Sequence, residues 1–317
     1  MKPITRRTFT KKSSLVLGAI PFLSIPCNVF ANKSIKESLS VNIFSKHLQF
    51  LNYKDAGEVS AELGFQGLDL TVRPKGHVLP ESVTKDLPKA IEDIRKGGSN
   101  CTMMTTAITD SANKTDIDIL KTASKYGIKY YRTNWFKYSN DNTMEADLEY
   151  YQQNVKGLSK LNKELSIIGC YQNHAGKHSI GASIWEIKKL LEFADLDYFG
   201  AQYDIRHAQV EGGLSWENGI KLIKKSIKTI VLKDFKWGQI NGIWKPINTP
   251  IGEGMVDFKT YFSLLKKYQI NVPVSLHLEY NLGGAEKGHK NITIDKKTVF
   301  SAMKKDLETI QILWKEA

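Results

Sequence analysis

Tyr198-Phe-Gly-Ala-Gln-Tyr-Asp-Ile-Arg-His-Ala208 changes character halfway along. The first half is short and apolar, as a buried strand would be. The second half sets an acid, a base and a histidine within four positions. A strand alternates its faces, so Gln202 and Asp204 are expected to point the same way. His207 lies just past the strand end, free to reach over the same mouth. Polar groups gathered at the C-terminal tip of a strand are where α/β barrels place their chemistry.

The rest of the chain repeats this pattern. Strands are predicted at 40–44, 67–71, 101–106, 129–133, 165–171, 198–204, 229–232 and 272–280. Between them run segments with apolar residues at helical spacing, such as Ala56, Val59 and Leu63, or Leu87, Ile91 and Ile94. Ser183-Ile-Trp-Glu186 reads as a capping box, and Thr115-Asp-Ile-Asp118 as a similar helix entry. Helices are expected after the sixth strand from Trp216 to Ile227, and at the C-terminus from Asp295 onward. Eight alternations in a chain of 317 residues predict a single-domain (β/α)8 barrel, a fold that usually takes about 250 residues. The apolar runs suit a parallel sheet covered on its outside. A doubly wound sheet would need a glycine-rich turn after the first strand, which is missing.

Charge and composition exclude other classes. The formal net charge is +12 and 41% of residues are hydrophobic. Lys2, Arg6, Arg7, Lys11 and Lys12 carry much of that charge at the N-terminus. The remaining excess is spread over lysine-rich helix faces, with no basic stripe interleaved with aromatics, so nucleic acid is not expected as a partner. Thr5-Arg6-Arg7-Thr8-Phe9-Thr10-Lys11 resembles a twin-arginine export signal. The apolar run from Leu15 to Ile25 is shorter than the roughly 20 residues of a membrane span. Val29-Phe30-Ala31 offers a cleavage site. Residues 1–31 are therefore expected to be a removable signal, and residues 32–317 a periplasmic barrel with no membrane span. Cys27 falls inside the signal. Cys101 and Cys170 are expected as buried free thiols, since their predicted strands are not neighbours.

If the barrel closes, its strand tips meet in one place. Lys46 follows the first strand, Arg73 and His77 the second, and Arg132, Asn134 and Trp135 the fourth. The fifth ends in Tyr171-Gln-Asn-His174, and the sixth supplies Asp204, Arg206 and His207. Lys233-Asp234 and Lys236-Trp237 follow the seventh, while His277 and Glu279 share one face of the eighth. Gly252-Glu-Gly254 and Gly283-Gly284 mark later loops, where barrels often bind phosphate. Neither has a phosphate-loop spacing.

Gln172-Asn-His174, Asp204-Ile-Arg-His207, Leu232-Lys-Asp234, Ile251-Gly-Glu-Gly254 and His277-Leu-Glu279 resemble the xylose isomerase-like barrels, the sugar phosphate isomerase/epimerase group. That resemblance implies a divalent metal held by a glutamate, an aspartate, a histidine and a second glutamate from the last four strands. Asp204 and Glu279 match the pattern. Gln172 replaces the first glutamate and Val231 the histidine. Gln172, Asp204 and Glu279 would form an oxygen-only site, suited to manganese, magnesium or calcium rather than zinc. A branch of the group that repairs abasic DNA with three zinc ions needs more histidines than the seven here.

The resemblance implies a carbohydrate-active isomerase or epimerase that removes a proton beside a sugar carbonyl. Glu279 is the expected ligand and base, with His174, His207 and Lys233 as further catalytic groups. Arg132, Trp135, Tyr171, Arg206, Trp237 and His277 are expected to bind the sugar. Gln172 cannot take a proton, so one-base chemistry is favoured over a symmetric pair of carboxylates. A lyase or hydratase acting on 3-keto-glycosides, and a non-catalytic periplasmic sugar-binding protein, are the alternatives.

Overall fold

Eight parallel strands close on themselves in the order β1-β10-β7-β6-β5-β4-β3-β2. The computed structural model describes residues 38–317, so the export signal expected at residues 1–31 lies outside the described residues. The barrel strands are β1 (Val41–Phe44), β2 (Gly67–Val72), β3 (Met103–Thr106), β4 (Tyr130–Arg132), β5 (Ile168–Gln172), β6 (Phe199–Asp204), β7 (Ile227–Leu232) and β10 (Val274–Leu276). All fall on the expected segments. The eighth is shorter than the apolar run suggested, because only Val274–Leu276 pairs with both neighbours. Every residue of β2 and β6 is buried, as a sheet covered by helices requires.

Helices α1 (Tyr53–Glu62), α2 (Val83–Lys96), α3 (Lys114–Lys125), α4 (Met144–Leu165) and α5 (Ile184–Leu190) alternate with the first six strands. The predicted capping box is present on α5, with Ser183 and Glu186 each bonding the other's backbone. The entry to α3 differs from expectation. Asn113 caps it by accepting from the Asp116 N–H, which frees the Asp116 carboxylate for the N–H groups of Thr109 and Asp110. After β6 come α6 (Ile205–Gly212) and α7 (Trp216–Ile223), and later α8 (Phe258–Lys267) and α9 (Lys296–Glu316).

Two elements near the site were not predicted. Helix α6 begins at once after β6, because the Asp204 side chain accepts the His207 N–H and caps it. An antiparallel hairpin, β8 (Asp234–Ile240) and β9 (Ile243–Thr249), stands outside the barrel between β7 and α8. Its two-residue turn is Asn241-Gly242, with φ of 53° and 76°, the left-handed pair that a type I′ turn needs.

The glycine loops are built around internal acceptors. Asp234 accepts the N–H groups of Phe235, Gly252, Gly254 and Val256 at 2.7–3.1 Å. A Cβ on Gly254 would collide with that carboxylate. Glu286 likewise takes the N–H groups of Leu282 and Gly284 at 3.0 and 2.8 Å. These donors are therefore occupied by the protein's own carboxylates.

Asp306 on α9 joins two loops of the mouth, accepting from the Tyr280 hydroxyl at 2.9 Å and the Ile251 N–H at 3.3 Å. Burial pushes its carboxyl up to about 7, more than the hydrogen bonds from Tyr280 and Ile251 lower it. An unfolded aspartate titrates near 3.9. The folded state thus holds the proton where the unfolded chain has lost it, and this contribution to stability falls as pH rises from about 4 to about 7. Asp306→Asn is expected to flatten that decline in urea unfolding at pH 5 and pH 7.5. An unchanged pH dependence would assign it to another group. Among the described residues no helix is long and apolar enough to cross a membrane.

Candidate active site

The C-terminal mouth of the barrel holds a cleft of about 370 Å³. Gln172 at the end of β5, His174 just after it, Arg206 and His207 from α6, Lys233 after β7 and His277 and Glu279 after β10 line it. Arg132 and Trp135 from the end of β4 join them. Asp204 lies beneath, fully buried.

Two lysine–carboxylate pairs organise the cleft. Lys233 Nζ lies 2.9 Å from Asp204 Oδ2, and Lys46 Nζ lies 2.9 Å from Glu279 Oε1. Gln172 donates Nε2–H to the same Asp204 oxygen at 2.7 Å. The opposite amide orientation would set two acceptor oxygens against each other. His207 is hemmed in on both ring nitrogens. Nδ1 accepts from Ala175 N–H at 3.2 Å and lies 3.0 Å from Arg206 Nη1, while Nε2 is 2.9 Å from Lys233 Nζ. Burial, then the charges of Lys233 and its other neighbours, lower its pKa well below the ordinary histidine value, so the ring is neutral.

His174 is also neutral, lowered to about 4 by burial and then by Lys233. Its Nδ1 donates to the Ala175 carbonyl at 2.9 Å, which leaves the lone pair on Nε2. His277 stacks on Phe44 at 4.1 Å and is lowered to about 3, chiefly by burial. For Glu279, burial alone would raise the carboxyl. His277 Nδ1, at 3.8 Å, is beyond hydrogen-bond reach, so we credit the opposite shift to the charges of Lys233 and Lys46. Together they hold Glu279 well below the usual carboxylate range.

Two of the residues expected to bind a sugar are elsewhere. Tyr171 is fully buried, and its hydroxyl donates to the Ile180 carbonyl at 2.6 Å while accepting the Phe136 N–H at 3.1 Å. It is a structural strut. Trp237 is on β8, 43% exposed, and does not line the cleft, because the hairpin carries it outward. Four lining residues, Phe44 among them, were missing from the expected site. Lys46 and Arg73 stand at strand tips, but no motif singled them out. Asn248, on β9, accepts from Arg206 Nε at 3.2 Å and donates to the Glu279 carbonyl at 3.3 Å. Its role depends on the unpredicted hairpin, whose signal in the sequence is Asn241-Gly242. Gln202 and Asp204, expected on one face, are both buried, yet Gln202 does not reach the cleft.

The donor set does not fit a divalent cation. Each expected carboxylate already faces an ammonium group, and both Asp204 oxygens are engaged, Oδ1 by the His207 N–H at 3.2 Å. Gln172 turns its amide nitrogen to Asp204, and Val231, beside Asp204 in register, offers no donor atom. A second cation would meet two fixed positive charges with no free carboxylate pair to hold it. Among the described residues no three His, Cys, Asp or Glu side chains are grouped to ligate a metal.

The fold is shared with sugar-acting enzymes. D-Psicose 3-epimerase from Clostridium cellulolyticum H10, solved with D-tagatose, superposes with a TM-score of 0.65 at 14% identity, covering 87% of this chain and 99% of that one. 3-Keto-D-glucoside 4-epimerase from E. coli gives 0.63 at 10%, covering 84% and 97%. A xylose isomerase-like TIM barrel protein from Mycobacterium smegmatis in complex with magnesium gives 0.60 at 10%, covering 85% and 98%. No curated protein matches the sequence at a significant level. The profile of one family matches residues 58–293, most of the chain. The chain belongs to the xylose isomerase-like TIM barrel family.

Proposed function

We propose that the protein is a carbohydrate isomerase or epimerase-like enzyme that removes a proton beside a sugar carbonyl. The observation that carries this reading is a carboxylate kept ionised, Glu279, in the same cleft as the buried cations Lys233 and Arg206. Glu279 takes the proton from carbon. The electron pair moves onto the carbonyl oxygen, where Lys233 and Arg206 stabilise the enediolate by charge and hydrogen bonding. The cations that lower Glu279 also make the carbon acid stronger, so the gap between base and substrate is not widened. Returning the proton to the neighbouring carbon, while the hydroxyl proton there passes to the former carbonyl oxygen, gives an isomer. Delivery of a proton to the opposite face by a second group gives an epimer. His174, with its free Nε2, is a second group able to carry a proton, and His207 orients Lys233.

No step needs a divalent ion in this account. The resemblance to metal-dependent barrels and the magnesium-bound relative support testing for one, but the lysine pairs already supply the positive charge. A substrate with a leaving group next to the enediolate would eliminate it, so 3-keto-glycoside cleavage is the second reading. The 3-keto-D-glucoside epimerase likeness favours that substrate class.

Proton exchange in heavy water, followed by NMR against a panel of sugars and 3-keto-glycosides, tests the proposal. Deuterium entering one carbon without release of a leaving group indicates isomerisation or epimerisation. Aglycone release indicates a lyase. Binding with neither outcome would reduce the protein to a sugar-binding module. We further propose export by the twin-arginine route. Replacing Arg6 and Arg7 with lysine is expected to leave the precursor in the cytoplasm, and unchanged periplasmic delivery on fractionation would refute this.

A further inference from the structure

Charge in the cleft does not balance. Lys46, Arg73, Arg132, Arg206 and Lys233 all line it. The two lysines are paired with Glu279 and Asp204. Among the described residues none of the three arginines has a carboxylate within ion-pair distance. Arg206 is partly satisfied by Asn248. Arg73 and Arg132 are not, since neither guanidinium makes a hydrogen bond to a described residue.

Arg132 is the sharper case. It is 3% exposed, and its Nε and Nη1 are buried without a partner, as is the neighbouring Trp135 Nε1. Its guanidinium sits 4.3 Å from the Trp135 ring centroid, and that of Arg73 sits 5.5 Å from Phe44. Each arginine thus sits within cation–π range of an aromatic ring, with N–H donors left over. Asp69 is the carboxyl group that acts most strongly on both arginines. Its oxygens are bound by the hydroxyls of Thr105, at 3.0 and 3.2 Å, and Ser275, at 2.7 Å, and it forms an ion pair with neither arginine. Burial, and then the charge of Arg73, push Arg132 down to about 9. A buried, unpaired guanidinium costs several kcal/mol. Keeping Arg132 in that state, with the half-buried Arg73 on the same wall, makes sense if a ligand supplies the anion.

We propose that the cleft selects carbohydrates bearing an oxyanion, a carboxylate, phosphate or sulfate, which Arg132 and Arg73 grip through their free edges. The guanidinium fork matches the spacing of such oxygens. This rests on the reading of the cleft as a carbohydrate site. It places the substrate's charge on the β2–β4 side of the mouth. Volume agrees, because about 370 Å³ is near the small end of ligand pockets, which start at roughly 300 Å³.

Calorimetry with hexuronates, hexose 6-phosphates and hexose 6-sulfates in gluco, galacto and manno forms, each against its neutral hexose and against inorganic phosphate, tests this. At least one anionic sugar is expected to bind about 10- to 100-fold more tightly than its neutral parent, the range of charge-assisted hydrogen bonds. The series that wins names the oxyanion. Arg132→Gln is expected to abolish that preference, weakening the anionic sugar far more than its neutral parent. Should that variant fail to fold, Arg73→Gln, at a less buried position, is expected to shrink the preference in the same direction. Equal binding of neutral and anionic sugars, inorganic phosphate binding as tightly as any sugar, or no anionic sugar binding at all would overturn the proposal. An arginine-dependent preference without proton exchange would sink the isomerase reading and leave this one standing. Exchange on neutral sugars without any preference would do the reverse.

Discussion

Glu279→Gln is expected to lower turnover by roughly 10²–10⁴-fold, the usual loss on removing a general base. The substitution keeps the shape and one oxygen but loses the charge and the proton acceptor. Folding should survive, because the side chain is a quarter exposed at the barrel mouth rather than in the core. Substrate affinity should change far less than turnover. The wild-type pH profile carries a second expectation. Lys233 and Lys46 hold Glu279 well below the usual carboxylate range, so its base form persists into acid, and no acid limb from this group should appear above pH 4. His174, lowered to about 4 by burial and then by Lys233, takes up its proton before His277 as the pH falls. Near-normal turnover of Glu279→Gln would move the base to His174 or Lys233. Proton-exchange rates of His174→Gln would then separate those two.

Lys233→Met is expected to destabilise the fold by about 3–5 kcal/mol, the cost of leaving one charge of a buried pair uncompensated. Asp204 is fully buried, and Lys233 is 6% exposed. Without the ammonium, Asp204 keeps only the Gln172 amide and the His207 N–H. His207 loses its neighbour at Nε2, so the start of α6 loosens with it. The double variant Lys233→Met with Asp204→Asn removes the stranded charge while keeping an oxygen to cap α6. It should regain much of the stability but no activity, because the cation facing the substrate oxygen is still missing. Added magnesium should rescue neither variant. A loss below about 1 kcal/mol in Lys233→Met, the size typical of exposed ion pairs, would mean the pair is solvated and not a buried anchor.

The barrel was readable from the chain alone because its cause is local and repeated. Runs such as Ile227–Leu232 and Phe199–Asp204 are mostly apolar and buried nearly throughout, and each is followed by helical spacing or a cap. Parallel strands joined in that rhythm have few ways to bury both faces. Asp204, Arg132, His207, Lys233 and Glu279 could be named as site residues for the same reason, since each ends a barrel strand and a closed barrel brings strand tips together. The hairpin went unread although Asn241-Gly242 is a turn signal, because exposed residues such as Ile243 and Trp244 offer no alternation to mark β9 as half-buried.

What required the tertiary structure was which tips touch and what each charge faces. Tyr171 and Gln172 are neighbours in sequence, yet the first packs into the wall and the second meets Asp204. Lys46 reaches Glu279 from 233 residues away, and Asn248 arrives from outside the barrel. Partners this distant leave no spacing in the chain to read. The sequence therefore determined the barrel and the chemistry-bearing ends of its strands. Only closure decided that two lysines would lie against the two carboxylates, because a charge takes its partner from space and not from sequence.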